Sequence, residues 1–533
     1  METNIPTQQP VPNLFFRRWL EIGFILIVFF LFGSQTVPGI NEPQYLGKAK
    51  HFWDTSWCPN DHFLNSSDAH FVFYYAFGWL TKWMTLEAVA WVGRIIGWLG
   101  LAFAWQRLSW RIVPQFGASI LSVTVWALLI KYCHLSGEWV IGGIEAKVFA
   151  YVFVLLGVAE IANENWKRCW IYFGIASSFH VLVGGWSVVA ALIASRLVEK
   201  SSRPTVLEML PSLIAGGVLS LPGLVPTLLM SSGIPTKISL DGTWYYVFRR
   251  LQHHLVFTSF SIDVMIRFGI LSLLTFALAT QFKVSKRLAG ISRFALASIL
   301  LVIVGIVIDL CTGKTYNASQ LLRFYWFRLA DVAVPLLSSL TVISVLQNGL
   351  ILKRTSSKTE GVASPRRNLV FGFTALLTSV CLLALVNNSI EQKNAVSKSD
   401  RQGHIQTANR LKDWREICRW AKRNSNRDQC FLAPPNHQTF KWYAHRSEVV
   451  TWKDVPQDPK GIVEWHLRLT EIRIFLNRSF EKPIDEVAGK LEDLSKKYGF
   501  QYFIVDKRLP FPKLPIPVLH ENGSYVIYAV ISE

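Results

Sequence analysis

The stretch NEPQYLGKAKHFWDTSWCPNDHF, residues 41–63, is a strongly polar segment that directly follows an apolar one. It places Glu42, Asp54 and Asp61 with two histidines and two lysines among aromatic side chains. The preceding apolar segment, residues 19–37, is close to the roughly 20 residues that cross a bilayer as a helix. We therefore predict that residues 38–84 form a long loop outside the membrane, anchored by the first of several transmembrane helices.

The rest of the 533-residue chain is also rich in apolar segments. It is 51% hydrophobic, contains 21 Trp and has a mean hydropathy of +0.29. Residues 1–389 are predicted to form an all-α polytopic membrane domain of about eleven transmembrane helices. The predicted spans are residues 19–37, 85–105, 115–131, 146–162, 169–183, 185–199, 206–229, 264–282, 294–310, 328–348 and 369–386.

The positive charge of the chain is distributed in short loops between the apolar segments. The net charge is +19, and every second loop is basic, beginning with Arg17 and Arg18 before the first span. Short basic loops are typical of the cytoplasmic side of a membrane protein. We predict a multi-pass protein of the cell inner membrane, with a cytoplasmic N-terminus, an exoplasmic (periplasmic) C-terminal region and no nucleic-acid partner.

Residues 390–533 have a different pattern, in which helices alternate with strands. TANRLKDWREICRWAKRN (407–424) and IDEVAGKLEDLSKKYG (484–499) have helical spacing of apolar residues. QCFLAPP (429–435), FQYFIVDK (500–507) and SYVIYAVIS (524–532) are strand-like. This alternation predicts a small soluble α/β domain. The sequence leaves open whether Cys418 and Cys430 form a disulfide.

Ionisable side chains collect on the predicted outer side. Lys147 and Arg328 lie at the starts of spans, where charged groups are costly and usually face a cavity or a partner. For Lys147 the alternative is an ion pair with Glu145 or a position among the lipid headgroups, and Arg94, inside a span, suits a buried ion pair. Further candidates in the outer loops are Glu138, Glu145, His180, Arg249, Arg250, His253 and His254.

With these features the chain resembles the GT-C superfamily of membrane glycosyltransferases. This group includes protein O-mannosyltransferases, lipid A aminoarabinose transferases, C-mannosyltransferases and oligosaccharyltransferases. Its members share many spans, a long first outer loop with an acidic residue soon after span one, and often a C-terminal exoplasmic domain. The family's first loop commonly carries Asp-Glu followed by an aromatic residue. Here NEPQYL places Asn41 at the first position, Glu42 at the second and Tyr45 beyond.

The resemblance implies that a sugar is transferred from a polyprenyl-phosphate donor with inversion at its anomeric carbon. Such a reaction needs a carboxylate base for the acceptor hydroxyl, and Glu42 is the first candidate and Asp61 the second. For Glu42 the alternative is a place in the first turn of a helix after Asn41, and for Asp61 a turn-forming role. His180 is alternatively a packing residue.

The leaving phosphate needs fixed cations or a metal. Lys147, Arg328, Arg249 and Arg250 are the candidate phosphate-binding residues. Substrate contacts are expected from Glu138, Glu145, His180, His253 and His254. Whether Glu138, Glu145 and Asp61 hold Mg²⁺ or Mn²⁺ through carboxylate oxygens stays open at this stage.

Two other functions remain open from the sequence. A transporter or flippase of a lipid-linked or anionic substrate would favour internal repeats and charges at mid-membrane, whereas a non-catalytic member of the superfamily would suit Asn41 in place of Asp. Convergence of Glu42, Lys147 and Arg328 on one cavity would favour the enzyme.

Overall fold

The computed structural model describes residues 14–281, 285–351, 365–393, 400 and 407–530. A helix coincides with each predicted span. Six of the described helices are long and apolar enough to cross a membrane by length and composition. The helical plan is therefore confirmed, whereas the number of spans stays a prediction. The helices at the predicted spans are α1 Leu14–Gly33, α4 Leu86–Ile112, α5 Ala118–Tyr132, α6 Ala146–Ala162, α7 Trp166–Phe179, α8 Val181–Arg196, α9 Val206–Leu229, α12 Ile262–Gln281, α13 Lys286–Thr312, α15 Ala330–Ile351 and α16 Pro365–Lys393.

Tryptophans and small residues pack the helices together. Trp105 of α4 stacks on Trp126 of α5 with ring centroids 4.6 Å apart. Helix α7 approaches α9 so closely that a Cβ on Gly174 would lie 2.2 Å from the Gly216 carbonyl oxygen. A larger residue at either glycine would separate these helices.

Short helices fill the segments between the long ones. The first loop contains α2, which begins at Glu42 with Pro43 in its first turn, as the helical alternative for this segment predicts. Asn41 occupies the N-cap position, but its side chain makes no capping hydrogen bond. The short helices are α2 Glu42–Trp53, α3 Phe71–Phe77, α10 Thr236–Tyr245, α11 Gln252–Leu255 and α14 Tyr316–Leu322.

The C-terminal region forms a five-stranded sheet covered by helices, which confirms the predicted α/β pattern. The elements are α17 Ala408–Asn424, β1 Cys430–Leu432, α18 Phe440–Ala444, β2 Ser447–Glu448, α19 Pro459–Arg478, α20 Ile484–Tyr498, β3 Tyr502–Asp506, β4 Val518–Glu521 and β5 Tyr525–Ala529. The strand order is β2-β1-β3-β5-β4, with β1, β2 and β3 parallel and β5 antiparallel to its neighbours. Cys418 and Cys430 are both buried free thiols.

A buried lysine joins this sheet region to the first loop. The Lys441 ammonium lies 3.1 Å from Asp61 Oδ2, 2.6 Å from Glu448 Oε1 and 2.7 Å from Asp454 Oδ2. All four side chains are at most 5% exposed. Because separating such buried charges leaves them unpaired and costly, the first loop and the C-terminal region form one docked unit.

Candidate functional site

A cavity of about 170 Å³ lies between the helical domain, the first loop and the C-terminal region. Its wall contains more cationic side chains than carboxylates, so it suits an anionic ligand. The charged residues that line it are Lys48, Lys147, Arg250, Arg328, Lys453, Glu138 and Glu145.

Lys147 and Arg328 converge on one carboxylate in this cavity. Arg328 Nε lies 3.0 Å from Glu138 Oε2, and Lys147 Nζ lies 3.5 Å from the same oxygen. Lys147 Nζ is also 3.5 Å from Glu145 Oε2 and 4.3 Å from the Trp139 ring centroid. The two candidate phosphate-binding cations therefore lie close together. Lys147 also forms the ion pair with Glu145 that was the alternative for it.

Helix α2 provides one wall of the cavity. Asn41, Gln44, Tyr45 and Lys48 line it, because residues three, four and seven positions apart share a helix face. The Asn41 side-chain amide donates to Glu145 Oε1 at 2.5 Å. Asn41 thus orients a cavity carboxylate.

Glu42 does not line the cavity. Its Oε1 accepts from Arg94 Nε (2.7 Å) and from the Ile144 backbone N–H (3.0 Å). Its Oε2 accepts from Arg94 Nη2 (2.8 Å) and from the Gly39 backbone N–H (2.5 Å). Arg94 is thus in the buried ion pair that its position predicts. The fully buried carboxylate of Glu42 has the surroundings of a structural group, and this geometry does not favour its role as a base.

Several other candidates also lie outside the cavity. Asp61 is bound to Lys441, so the proposed metal-binding set of Asp61, Glu138 and Glu145 is not brought together. No group of three or more His, Cys, Asp or Glu side chains suited to a metal occurs within the described ranges. Arg249 and His253 are exposed and absent from the cavity wall.

The remaining candidates do line the cavity. Arg250 and His254 contribute to its wall, as does His180. The Arg328 guanidinium Nη1 lies 3.3 Å from His180 Nε2. The Arg250 Nε–H donates to the Trp452 backbone carbonyl at 3.0 Å, so this arginine also contacts the C-terminal region.

Lys453 is a cavity residue that sequence reasoning missed. It follows β2 in the C-terminal region, and among the described residues no carboxylate oxygen lies within 4 Å of its ammonium. Burial lowers the pKa of Lys453 to about 7, helped by the nearby Arg250 and opposed by Glu145. No local pattern marks this residue, because its proximity to the cavity arises only from docking of the two regions.

A smaller cavity, of about 150 Å³, adjoins the main cavity and has a mixed polar and apolar lining. It shares Tyr45 and Arg328 with the main cavity and reaches Leu182 near the start of α8 and Thr227 and Met230 near the end of α9. Helix α9 carries many exposed apolar side chains, so the smaller cavity reaches the end of a helix whose surface is suited to lipid. Arg328 lines both cavities.

Solved structures that are similar to this chain include those of AglB and ArnT. AglB, an oligosaccharyltransferase from Archaeoglobus fulgidus solved with an inhibitory peptide and a dolichol-phosphate, is similar over 93% of this chain and 70% of that chain, at 10% identity and TM-score 0.46. ArnT from Cupriavidus metallidurans, bound to undecaprenyl phosphate, is similar over 96% of this chain and 98% of that chain, at 11% identity and TM-score 0.42.

Sequence comparisons cover less of the chain. A family model described as a domain of unknown function, DUF6798, matches residues 412–472, from α17 into α19. No curated protein matches the chain.

Removing the charge of Glu42 should destabilise the protein. In Glu42→Gln the Arg94 guanidinium stays buried without its anion, which costs about 3–5 kcal/mol. The melting temperature of the purified protein in detergent should fall, whereas Glu199→Gln, at an exposed position, should leave it unchanged. The double variant Glu42→Gln/Arg94→Met should lose less free energy of unfolding than the sum of the losses in the two single variants. A wild-type melting temperature for Glu42→Gln would contradict the structural role.

Proposed function

We propose that this chain is a membrane glycosyltransferase that takes its sugar from a polyprenyl-phosphate donor. The observation that carries the proposal is the position of Arg328, which lines both the cationic cavity and the smaller cavity that reaches the end of α9. A polyprenyl-phosphate sugar has an apolar chain, an anionic phosphate and a polar sugar in that order. The apolar chain would lie against the exposed apolar side chains of α9, the phosphate would contact Arg328, and the sugar would lie in the main cavity.

The phosphate would be held by the cations that now bind Glu138. Arginine can bind a phosphate with two parallel hydrogen bonds, and lysine adds a point charge. In the reaction, the acceptor oxygen forms a bond to the anomeric carbon as the bond from that carbon to the phosphate oxygen breaks. The electron pair leaves with the phosphate, where Arg328 and Lys147 stabilise the developing charge. Attack from the opposite face in one step inverts the anomeric centre.

We assign to Glu145 the role of the base that takes the proton from the acceptor hydroxyl. It lines the cavity, accepts from Asn41 and lies 3.5 Å from Lys147. Glu138, by contrast, contacts both Lys147 and Arg328, the two cations assigned to the phosphate. Burial raises the pKa of Glu145, which favours proton uptake from the attacking hydroxyl.

The proposal is tested by the lipid that the protein retains. Mass spectrometry of lipids extracted from the purified protein should detect a polyprenyl-phosphate sugar. Arg328→Gln and Lys147→Gln should each retain about tenfold to hundredfold less, because each loses a charged hydrogen bond to an anion. Arg249→Gln, which removes an exposed cation outside the cavity, is the matched control. Glu145→Gln should retain the lipid and transfer no sugar.

Other outcomes of the same experiment distinguish the alternatives. Retention of the lipid without transfer by the wild-type protein would favour a non-catalytic member of the superfamily. Movement of the intact lipid across a vesicle membrane would favour a flippase. Absence of any polyprenyl phosphate, with no binding of added undecaprenyl phosphate, would overturn the proposal.

Donor binding should also depend on pH through Lys453. Its charge is lost above a pKa of about 7, so affinity for undecaprenyl phosphate should fall between pH 6 and 8.5. Lys453→Arg stays charged in this range and should bind about tenfold more tightly than wild type at pH 8.5. The charged groups facing Lys453 are Arg250, Glu145, Asp454 and Lys147. Because the phosphate also titrates, the measured quantity is the difference between the two calorimetric pH profiles, and coinciding profiles would contradict the role of Lys453.

We further propose that the cavity faces the periplasm of an inner-membrane protein whose N-terminus is cytoplasmic. The alternation of basic loops supports this orientation. A reporter active only in the cytoplasm should be silent when fused after Glu533 and active when fused after Lys200, in a predicted cytoplasmic loop. Activity of the fusion after Glu533 would reverse the assignment.

A further inference from the structure

A second polar cavity, of about 490 Å³, lies within the C-terminal region. One side is formed by residues 434–437, which follow β1, and another by residues 506–509 around the end of β3. Helix α19 contributes Arg473, Leu476 and Asn477. The cavity therefore lies at the carboxyl ends of two neighbouring parallel strands.

The strand order makes this edge a switch point of the sheet. In the order β2-β1-β3-β5-β4, the chain leaves β1 towards β2 on one side and leaves β3 towards β4 on the other. The two connections diverge and leave a crevice between β1 and β3. In open α/β sheets, ligands bind in such crevices at the carboxyl ends of the strands.

The charges around this crevice favour an anionic ligand. Asp506 is bound by Arg508 Nη2 at 2.7 Å and by Arg410 Nη2 at 2.9 Å, so its charge is already neutralised. Arg473 has no carboxylate within 4 Å among the described residues; its Nη2 lies 3.3 Å from the Asn436 amide oxygen and its guanidinium 4.6 Å from the Trp452 ring centroid. This arginine lines the cavity with an unbalanced positive charge.

We propose that this cavity binds an anionic saccharide, meaning a sugar that carries a phosphate or a carboxylate group. Arg473 and Arg508 bind the anionic group, since guanidinium geometry matches both oxyanions. The Asn436 and Asn477 amides hydrogen-bond sugar hydroxyls, and Asp506 accepts from another. The volume lies within the range of about 300–1,000 Å³ typical of small-molecule sites.

This site is separate from the main cavity, the proposed binding site of the lipid-linked donor and hereafter the donor cavity, but it lies close to it. Trp452 stands between the two: its ring lies 4.6 Å from the guanidinium of Arg473 on the saccharide side and 5.3 Å from that of Arg250, which lines the donor cavity. The proposed saccharide site does not depend on the transfer reaction. Its test therefore needs no lipid donor.

Ligand-observed saturation-transfer NMR on the full-length protein in detergent tests the proposal. Glucose 6-phosphate and glucuronate are the two anionic probes, and glucose is the neutral comparison. Both anionic sugars, or one of them, should receive saturation and glucose should not. Binding of only one identifies the anion as phosphate or carboxylate.

Variants separate this cavity from other cationic surfaces. Arg473→Gln and Arg508→Gln should each weaken binding by about tenfold or more. Arg508 is 40% exposed, so its variant provides the test if Arg473→Gln fails to fold. Arg423→Gln, at an exposed site on α17, should bind as wild type does. Equal binding of glucose, or unchanged binding in the Arg473 and Arg508 variants, would overturn the proposal.

Discussion

The buried ion pair between Glu42 and Arg94 is the interaction on which the geometry of the donor cavity depends. Together with the Ile144 backbone N–H, it joins the start of α2, the first half of α4 and the turn before α6. One face of α2 lines the cavity, and the turn before α6 leads directly to Glu145 and Lys147. Because an unpaired charge at full burial is far more costly than a paired one, the two walls are held in a fixed relation.

Charge balance explains how a cationic cavity is stable before a ligand binds. Glu138 lies between Lys147 and Arg328 and offsets part of their repulsion. An anionic phosphate would compete with Glu138 for the same cations. The net free energy of phosphate binding would therefore be smaller than the free energy of its new contacts, because the contacts of Glu138 are lost. For the proposed lipid-linked donor, further affinity would come from contact of its apolar chain with the exposed apolar side chains of α9.

The C-terminal region is part of the site. The cluster around Lys441 includes Asp61 of the first loop. It also includes Asp454, which directly follows Lys453 in the sequence. Burial with an excess of carboxylates raises the pKa of Glu448 in this cluster, so a shared proton can reduce the negative charge. The same docking that buries Lys441 therefore brings Lys453 to the donor cavity.

The sequence by itself determined the helices and the α/β pattern after residue 407. It also indicated that the cations Lys147, Arg328 and Arg94 would need nearby partners. These follow from local physics, since apolar runs must be buried or lie in lipid and charges at span ends need partners. Only the tertiary structure decided that Asn41 faces the cavity and Glu42 does not. Neighbouring residues on a helix point about 100° apart, and the direction was set by Arg94, 52 positions further along the chain. Likewise, Lys453 reaches the donor cavity through contacts between segments distant in sequence, which leave no periodicity or motif in the chain.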